Sequence, residues 1–289
     1  MVRAGRAVLI AGPTASGKSA LALEIAERLD GVVVNTDAMQ VYDTLRILTA
    51  RPSAEDERRA PHRLYGFVSC SIRFSTGRWL EAVREVMTEE PSRSLIFVGG
   101  TGLYFDALTK GFADVPQVPA EIALQVQQEI QGLDEAGRMR LLKAEDPETA
   151  ARLKVADPQR VERAIAVKRA TGRPISSFQN APQAGLLDDY DVEHMVLDPD
   201  RERLRERIAR RFEGMFESGA VGEVEALLAQ RLDANMPAMK AIGVREIAEW
   251  LEGRLSREDA ISRAIIATQQ YAKRQRTWFR NRMGDWPRR

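Results

Sequence analysis

Short apolar runs alternate with longer stretches of helical spacing over the first hundred residues. Runs rich in β-branched or apolar side chains stand at 6–11, 32–35, 65–70, 95–98 and 192–197, and helix-capable segments separate the first four. That alternation predicts strands of a parallel α/β sheet. Between the fourth and fifth runs lies a long polar stretch, residues 115–191, bordered by Asp114-Val115-Pro116-Gln117-Val118-Pro119 and by the loop at 179–185. Apolar spacing there predicts helices at 120–130, 134–143, 147–153 and 158–171, the last closed by Gly172 and then Pro174. Beyond Pro199 the spacing is helical again, at 201–218, 220–231, 243–252 and 256–282, with Ser256-Arg257-Glu258-Asp259 opening the last as a capping pattern. The chain therefore reads as a core of residues 1–114 plus 192–289 carrying a helical insertion domain at 115–191.

Between the first run and the first helical stretch stands Gly12-Pro13-Thr14-Ala15-Ser16-Gly17-Lys18-Ser19. Glycines there let backbone N–H groups converge on anionic oxygens, Lys18 adds a compact charge, Ser19 offers a hydroxyl to Mg²⁺, and the helix adds its positive end. A polyphosphate is the expected ligand. The expected fold is α/β, a P-loop NTPase-like parallel-sheet core with a helical insertion and a helical C-terminal region.

In open α/β sheets ligands lie beyond the carboxyl ends of the strands. Two further places qualify. Asp37 follows the second run, as a helix cap or as a base that accepts a proton. Gly99-Gly100-Thr101-Gly102 follows the fourth, where paired glycines suit backbone approach to a ligand and Thr101 supplies a hydroxyl. No acidic metal-binding residue follows that fourth run, which disfavours an ATPase motor.

The 289 residues carry 43 Lys and Arg against 42 Asp and Glu, a net charge of +1, so only the distribution of charge is informative. Six arginines crowd residues 201–211, and seven cations against Asp285 occupy the tail from Lys273. These blocks are phosphate-backbone footprints or solvated helix faces. The single Cys70 sits in an apolar stretch, reads as an inert core thiol and excludes an intrachain disulfide. Residues 1–6 lead straight into the first run, and no stretch approaches the roughly 20 apolar residues of a membrane helix, so a soluble, cytoplasmic protein without a membrane partner is expected. A monomer is the default. His62 and His194 have no partners at metal-ligand spacing and read as structural.

Taken in order, the phosphate loop, Asp37-Ala38-Met39-Gln40-Val41-Tyr42, Gly99 to Tyr104, Asp157 to Ala164, Lys240-Ala241-Ile242-Gly243 and Lys273 to Arg280 resemble the tRNA dimethylallyltransferases, or tRNA isopentenyltransferases. The resemblance implies transfer of a dimethylallyl group from its diphosphate to N6 of an adenosine beside the anticodon. The phosphate loop, residues Gly12 to Ser19, would then hold the diphosphate, with Ser19 on the metal. Asp37 would take the N6 proton, Thr101 would sit at the reaction centre or act as a turn hydroxyl, and Arg211 or its neighbour Arg210 would support the diphosphate. The same resemblance assigns contact with the tRNA anticodon stem-loop to Asp37, Ala38, Met39 and Gln40; to Gln159, Arg160, Val161, Glu162 and Arg163; to Lys240, Ala241, Ile242, Gly243, Val244 and Arg245; and to Lys273, Arg274, Gln275, Arg276, Thr277, Trp278, Phe279 and Arg280. Trp278 is suited to base stacking, although aromatics on amphipathic helices more often belong to a core.

Three positions depart from the family pattern: Ala38 in place of Ser, Leu48 in place of Gly ahead of Thr49-Ala50-Arg51-Pro52, and Val244 in place of Tyr. Two other function classes share some of these features. A small-molecule or nucleoside kinase would use the loop for ATP and Asp37 for a hydroxyl, but it has no need of the basic tail with Gln275 and Trp278. A nonenzymatic RNA-binding protein leaves Asp37 and Thr101 without a purpose.

Overall fold

The computed structural model describes residues 5–179 and 184–289; Met1 to Ala4 and the middle of the expected 179–185 loop lie outside the described residues. The first part of the chain runs β1 (Arg6–Ala11), α1 (Lys18–Leu29), β2 (Val32–Asn35), α2 (Ala54–Arg59), β3 (His62–Arg63), α3 (Thr76–Glu89), β4 (Leu95–Gly99) and α4 (Gly102–Lys110). After five helices, α5 (Ala120–Ile130), α6 (Glu135–Glu145), α7 (Pro147–Arg152), α8 (Pro158–Thr171) and α9 (Ile175–Gln179), it returns through β5 (Asp191–Val196). It closes with α10 (Arg201–Glu217), α11 (Ala220–Ala229), α12 (Val244–Leu251) and α13 (Arg257–Arg282).

The five strands form one parallel sheet in the order β3-β2-β4-β1-β5. Alternate strand residues serve opposite faces, as a period of two requires. Ala7, Leu9, Val32, Val34, Leu95 and Phe97 pack with Trp79, Leu80 and Val83 of α3 on one side. Val8, Ile10, Val33, Ile96 and Val98 pack on Ala22, Leu23, Ile25 and Ala26 of α1 on the other. Burial on both faces explains the unbroken apolar runs. A separate cluster gathers Val41, Tyr42, Leu45 and Leu48 with Phe212, Phe216, Val224, Val244 and Ile247 from the C-terminal helices.

The run at 65–70 is not the expected strand. Leu64 and Gly66 take positive φ angles of 64° and 55°, which break an extended chain, and the Arg51 guanidinium lies where a Gly66 Cβ would stand. The strand is instead the two-residue β3, and residue 68 keeps only an isolated bridge to Tyr42. Cys70 is buried and free, and burial raises its thiol pKa.

The chain divides into two compact units, Met1–Thr109 with Leu186–Arg289, and Lys110–Gly185. Leu186 and Leu187 already pack into the core of the sheet. The second unit is helical around Val126, Leu142, Val161 and Ile165, and Arg169 ties α8 to Glu129 of α5 and Glu145 of α6. Among the described residues no helix is long and apolar enough to cross a membrane.

Candidate active site

The loop between β1 and α1 is built for an anion. Gly17 caps α1 with φ 94° and no capping side chain, so the first N–H groups of the helix are left for a ligand. Ala15 also takes a left-handed φ of 62°, a strained choice for a side chain with a Cβ. Gly12 lets the loop fold tightly: a Cβ there would stand 2.9 Å from Ser16 Oγ and 3.1 Å from the Leu197 carbonyl. Ser16 Oγ is itself buried with no hydrogen-bond partner among the described residues. A buried hydroxyl without a partner is costly unless a ligand supplies one.

Lys18 Nζ donates to the Pro13 carbonyl at 3.2 Å. Burial pulls its pKa down to about 8, with Asp37 working against that fall and Arg211 adding to it. Arg211 donates to Thr14 Oγ1, and Arg207 Nη1 stands 3.5 Å from the Ser16 carbonyl. These groups line a cavity of about 530 Å³ together with Asp37, Gln40 and the Thr49-Ala50 turn. Arg210 is not part of it: its side chain is exposed and 3.7 Å from Glu206.

Asp37 stands two residues beyond β2 because Asn35 locks the turn. Asn35 Oδ1 accepts from the Asp37 N–H at 2.8 Å, and its Nδ2 donates to the carbonyls of Asp37 and Leu64, both at 3.0 Å. Asp37 Oδ1 accepts from the Met39 N–H at 2.9 Å. Oδ2 takes no hydrogen bond from the described residues, so one carboxylate oxygen is free for a substrate. Thr101 Oγ1 accepts from the Ala38 N–H at 2.9 Å, and Thr101 N–H donates to Thr36 O at 3.1 Å. The β2 and β4 loops are thereby joined by the hydroxyl and N–H of Thr101 on backbone groups of the β2 loop, and Ala38 needs no hydroxyl to make the link.

The glycines after β4 admit protein groups rather than leaving open space. A Cβ on Gly99 would fall 2.2 Å from the Thr36 backbone, one on Gly100 2.1 Å from Gln275 Nε2, and one on Gly102 2.1 Å from the Trp278 ring. Two of these three contacts, those of Gln275 and Trp278, come from α13.

An IPP transferase family model matches residues 40–282. The tRNA dimethylallyltransferase of Chelativorans sp. strain BNC1 is 52% identical over 285 residues, covering 97% of each chain. The chain belongs to the tRNA dimethylallyltransferase family. The tRNA isopentenylpyrophosphate transferase of Bacillus halodurans superposes with a TM-score of 0.68 at 30% identity, covering 98% of this chain and 89% of that one. A eukaryotic dimethylallyltransferase solved acting on tRNA superposes with a TM-score of 0.80 at 26% identity, covering 95% and 70%.

Against the family pattern, the expected RNA-contacting residues separate by exposure. In α8, Gln159, Arg160 and Arg163 are exposed, Glu162 is half-buried, and Val161 is in the core of its unit. Of the 240–245 segment, Lys240 and Arg245 are exposed, whereas Ala241, Gly243 and Val244 are buried. Val244, a departure from the family tyrosine, is a core residue. Leu48, another departure, is buried as well and needs no glycine conformation; its side chain fills the space above Gly243, whose φ is 100°. In α13, Lys273, Arg274, Thr277 and Arg280 are exposed, Arg276 pairs with Asp198 at 2.7 Å, and Gln275 and Phe279 are buried. A groove of about 350 Å³ between α10 and α13 is lined by Arg201, Arg205, Lys273, Arg276 and Arg280, on a different face of α10 from Arg207 and Arg211. Arg207, Asn35 and Tyr271, which adjoins Thr101 and Gln275, are residues at the site that sequence reasoning missed; helical spacing from Arg211 would have flagged Arg207.

Proposed function

We propose that this chain transfers the dimethylallyl group of dimethylallyl diphosphate to N6 of an adenosine beside the anticodon of tRNA, releasing diphosphate. One observation carries the reading: in a chain of this family, a carboxylate with a free oxygen shares one cavity with a complete diphosphate cradle. The allylic C1–O bond breaks and its electron pair leaves on the diphosphate. Backbone N–H groups of α1, Lys18, Arg207 and Arg211 lie where that negative charge grows, and preorganised donors of this kind are commonly the largest catalytic contribution. The N6 lone pair forms the new C–N bond, and Asp37 Oδ2 takes the proton that N6 loses. Thr101 fixes the backbone beside Asp37.

The loop also suits Mg²⁺. Ser19 is exposed in the cavity, and a hydroxyl beside substrate phosphates is the all-oxygen setting this ion takes. When bound beside Ser19, the ion would neutralise charge on the departing diphosphate. The adenosine leaves its stack to reach the cavity, at a cost of a few kcal/mol that base contacts offset. The exposed groups Gln159, Arg160, Arg163, Lys240, Lys273, Arg274 and Arg280 supply RNA contacts. On this reading the reaction is cytoplasmic, because its substrate is tRNA.

The test is incubation with unmodified tRNA, Mg²⁺ and either labelled dimethylallyl diphosphate or γ-labelled ATP. Label on tRNA from the first donor is the expected result. Label transferred from ATP, or binding of tRNA with no transfer, refutes the reading.

A further inference from the structure

Gln275 belongs to the α13 segment expected to touch RNA, yet its side chain is only 5% exposed and its amide is committed inside the protein. Its Oε1 accepts from the Thr14 N–H of the phosphate loop at 2.9 Å, and its Nε2 donates to the Gly100 carbonyl at 2.9 Å. The two ends of one planar amide therefore span two separate loops. One follows β1 and holds the anion. The other follows β4, and its next residue is Thr101, whose Oγ1 holds the Ala38 N–H beside Asp37.

The neighbours leave this amide little freedom. Gly100 has no Cβ because Nε2 occupies that place, and Trp278 three residues along the helix lies on Gly102 in the same way. Tyr271, one turn earlier, adjoins Thr101 and Gln275, while burial and then Asp37 raise its phenol pKa. Arg282 pairs with Asp106 of α4 at 2.9 Å, so α13 is fastened at Gly100, Gly102 and Asp106. Thr14 is also gripped on its other side, where Arg211 donates to its hydroxyl.

We propose that Gln275 is a positioning residue of the transfer reaction, a strut whose buried amide sets the separation between the diphosphate-holding loop and the Thr101–Asp37 side that receives the adenosine. This rests on the function proposed above. Transfer needs the leaving oxygen, the allylic carbon and N6 nearly in line, and a misplacement of about 1 Å costs on the order of 10²-fold in rate. No other side chain links these two loops among the hydrogen bonds of the described residues.

Two substitutions at one position test it. Gln275→Met keeps the volume and removes both hydrogen bonds. Gln275→Glu keeps an acceptor for Thr14 but sets a carboxylate oxygen against the Gly100 carbonyl, a clash that protonation turns into an O–H donor. The assay is the single-turnover rate of label transfer from dimethylallyl diphosphate to an anticodon stem-loop, with both substrates saturating, alongside the stem-loop Kd and the affinity for inorganic pyrophosphate with Mg²⁺.

For Gln275→Met the expected result is a rate loss of about 10²-fold, a stem-loop Kd within twofold of the parent, and weaker pyrophosphate binding. For Gln275→Glu the rate relative to the parent rises as pH falls, and this pH signature carries the test if the methionine variant does not fold. A rate within threefold of the parent overturns the proposal, and if the stem-loop Kd is weakened in that variant Gln275 is an RNA contact instead. If the parent itself transfers nothing, the proposed function fails instead. Pyrophosphate affinity then still decides whether Gln275 presents the Thr14 N–H, with equal affinities overturning the strut.

Discussion

Replacing Asp37 by asparagine isolates proton transfer from everything else at the site. The amide is nearly isosteric, and its oxygen can keep the 2.9 Å bond from the Met39 N–H that Oδ1 now accepts. Its nitrogen then occupies the place of Oδ2, the oxygen that takes no hydrogen bond from the described residues, and presents donors where an acceptor is needed. General-base contributions run about 10²- to 10⁴-fold, which at about 1.36 kcal/mol per decade is about 2.7 to 5.4 kcal/mol of barrier. The change also removes a charge that supports the protonated forms of Lys18 and Arg211, so the Lys18 pKa falls below its present value of about 8. Measuring at pH 7 limits that second effect, and pyrophosphate affinity reports on it directly. The assay is single-turnover transfer to an anticodon stem-loop at saturating substrates. The expected outcome is a rate loss of at least about 10²-fold with stem-loop binding retained. A variant within tenfold of the parent would show that another group takes the proton and would refute the role of Asp37.

The lowered Lys18 pKa of about 8 means that an incoming diphosphate restores the ammonium; calorimetry in buffers of different ionisation enthalpy should show proton uptake near pH 8 and an affinity that falls as pH rises through that value. Arg211→Lys should weaken pyrophosphate binding about tenfold, one bidentate fork being replaced by a point charge, whereas the exposed Arg210→Lys should change it less than twofold; equal effects would contradict the orientation of the two side chains. Gly99→Ala drives a methyl group to 2.2 Å from the Thr36 backbone, which cannot yield as a flexible side chain does, so urea denaturation should register a loss of about 1–3 kcal/mol. Cys70 should react with a thiol reagent only after unfolding, because it is fully buried and its pKa is raised by that burial; stoichiometric labelling of the native protein within minutes would refute this.

What the sequence disclosed were features decided by neighbours in the chain. The phosphate loop needs only its own eight residues, and α8 begins and ends, and α13 begins, where their caps place them, because Asp157, Gly172 and Ser256 satisfy backbone groups a few residues away. Features set by distant contacts were hidden. Residues 65–70 have strand composition, but the Arg51 guanidinium occupies the space that Gly66 leaves and the chain turns there instead. The Gly99-Gly100-Thr101-Gly102 segment reads as an opening for a ligand, whereas Thr36, Gln275 and Trp278 fill it. Gln275 looks like a surface amide until α13 is laid against β4, and Leu48 is only a departure from the family glycine until Gly243 is seen to leave room for its side chain.

Because Gly102 has given up its side chain to the indole of a residue 176 positions away, neither partner can drift by itself. A lineage that gains a methyl group at the glycine must shrink the ring or move a whole helix, so covariation between these two sites across relatives would be a record of that shared volume.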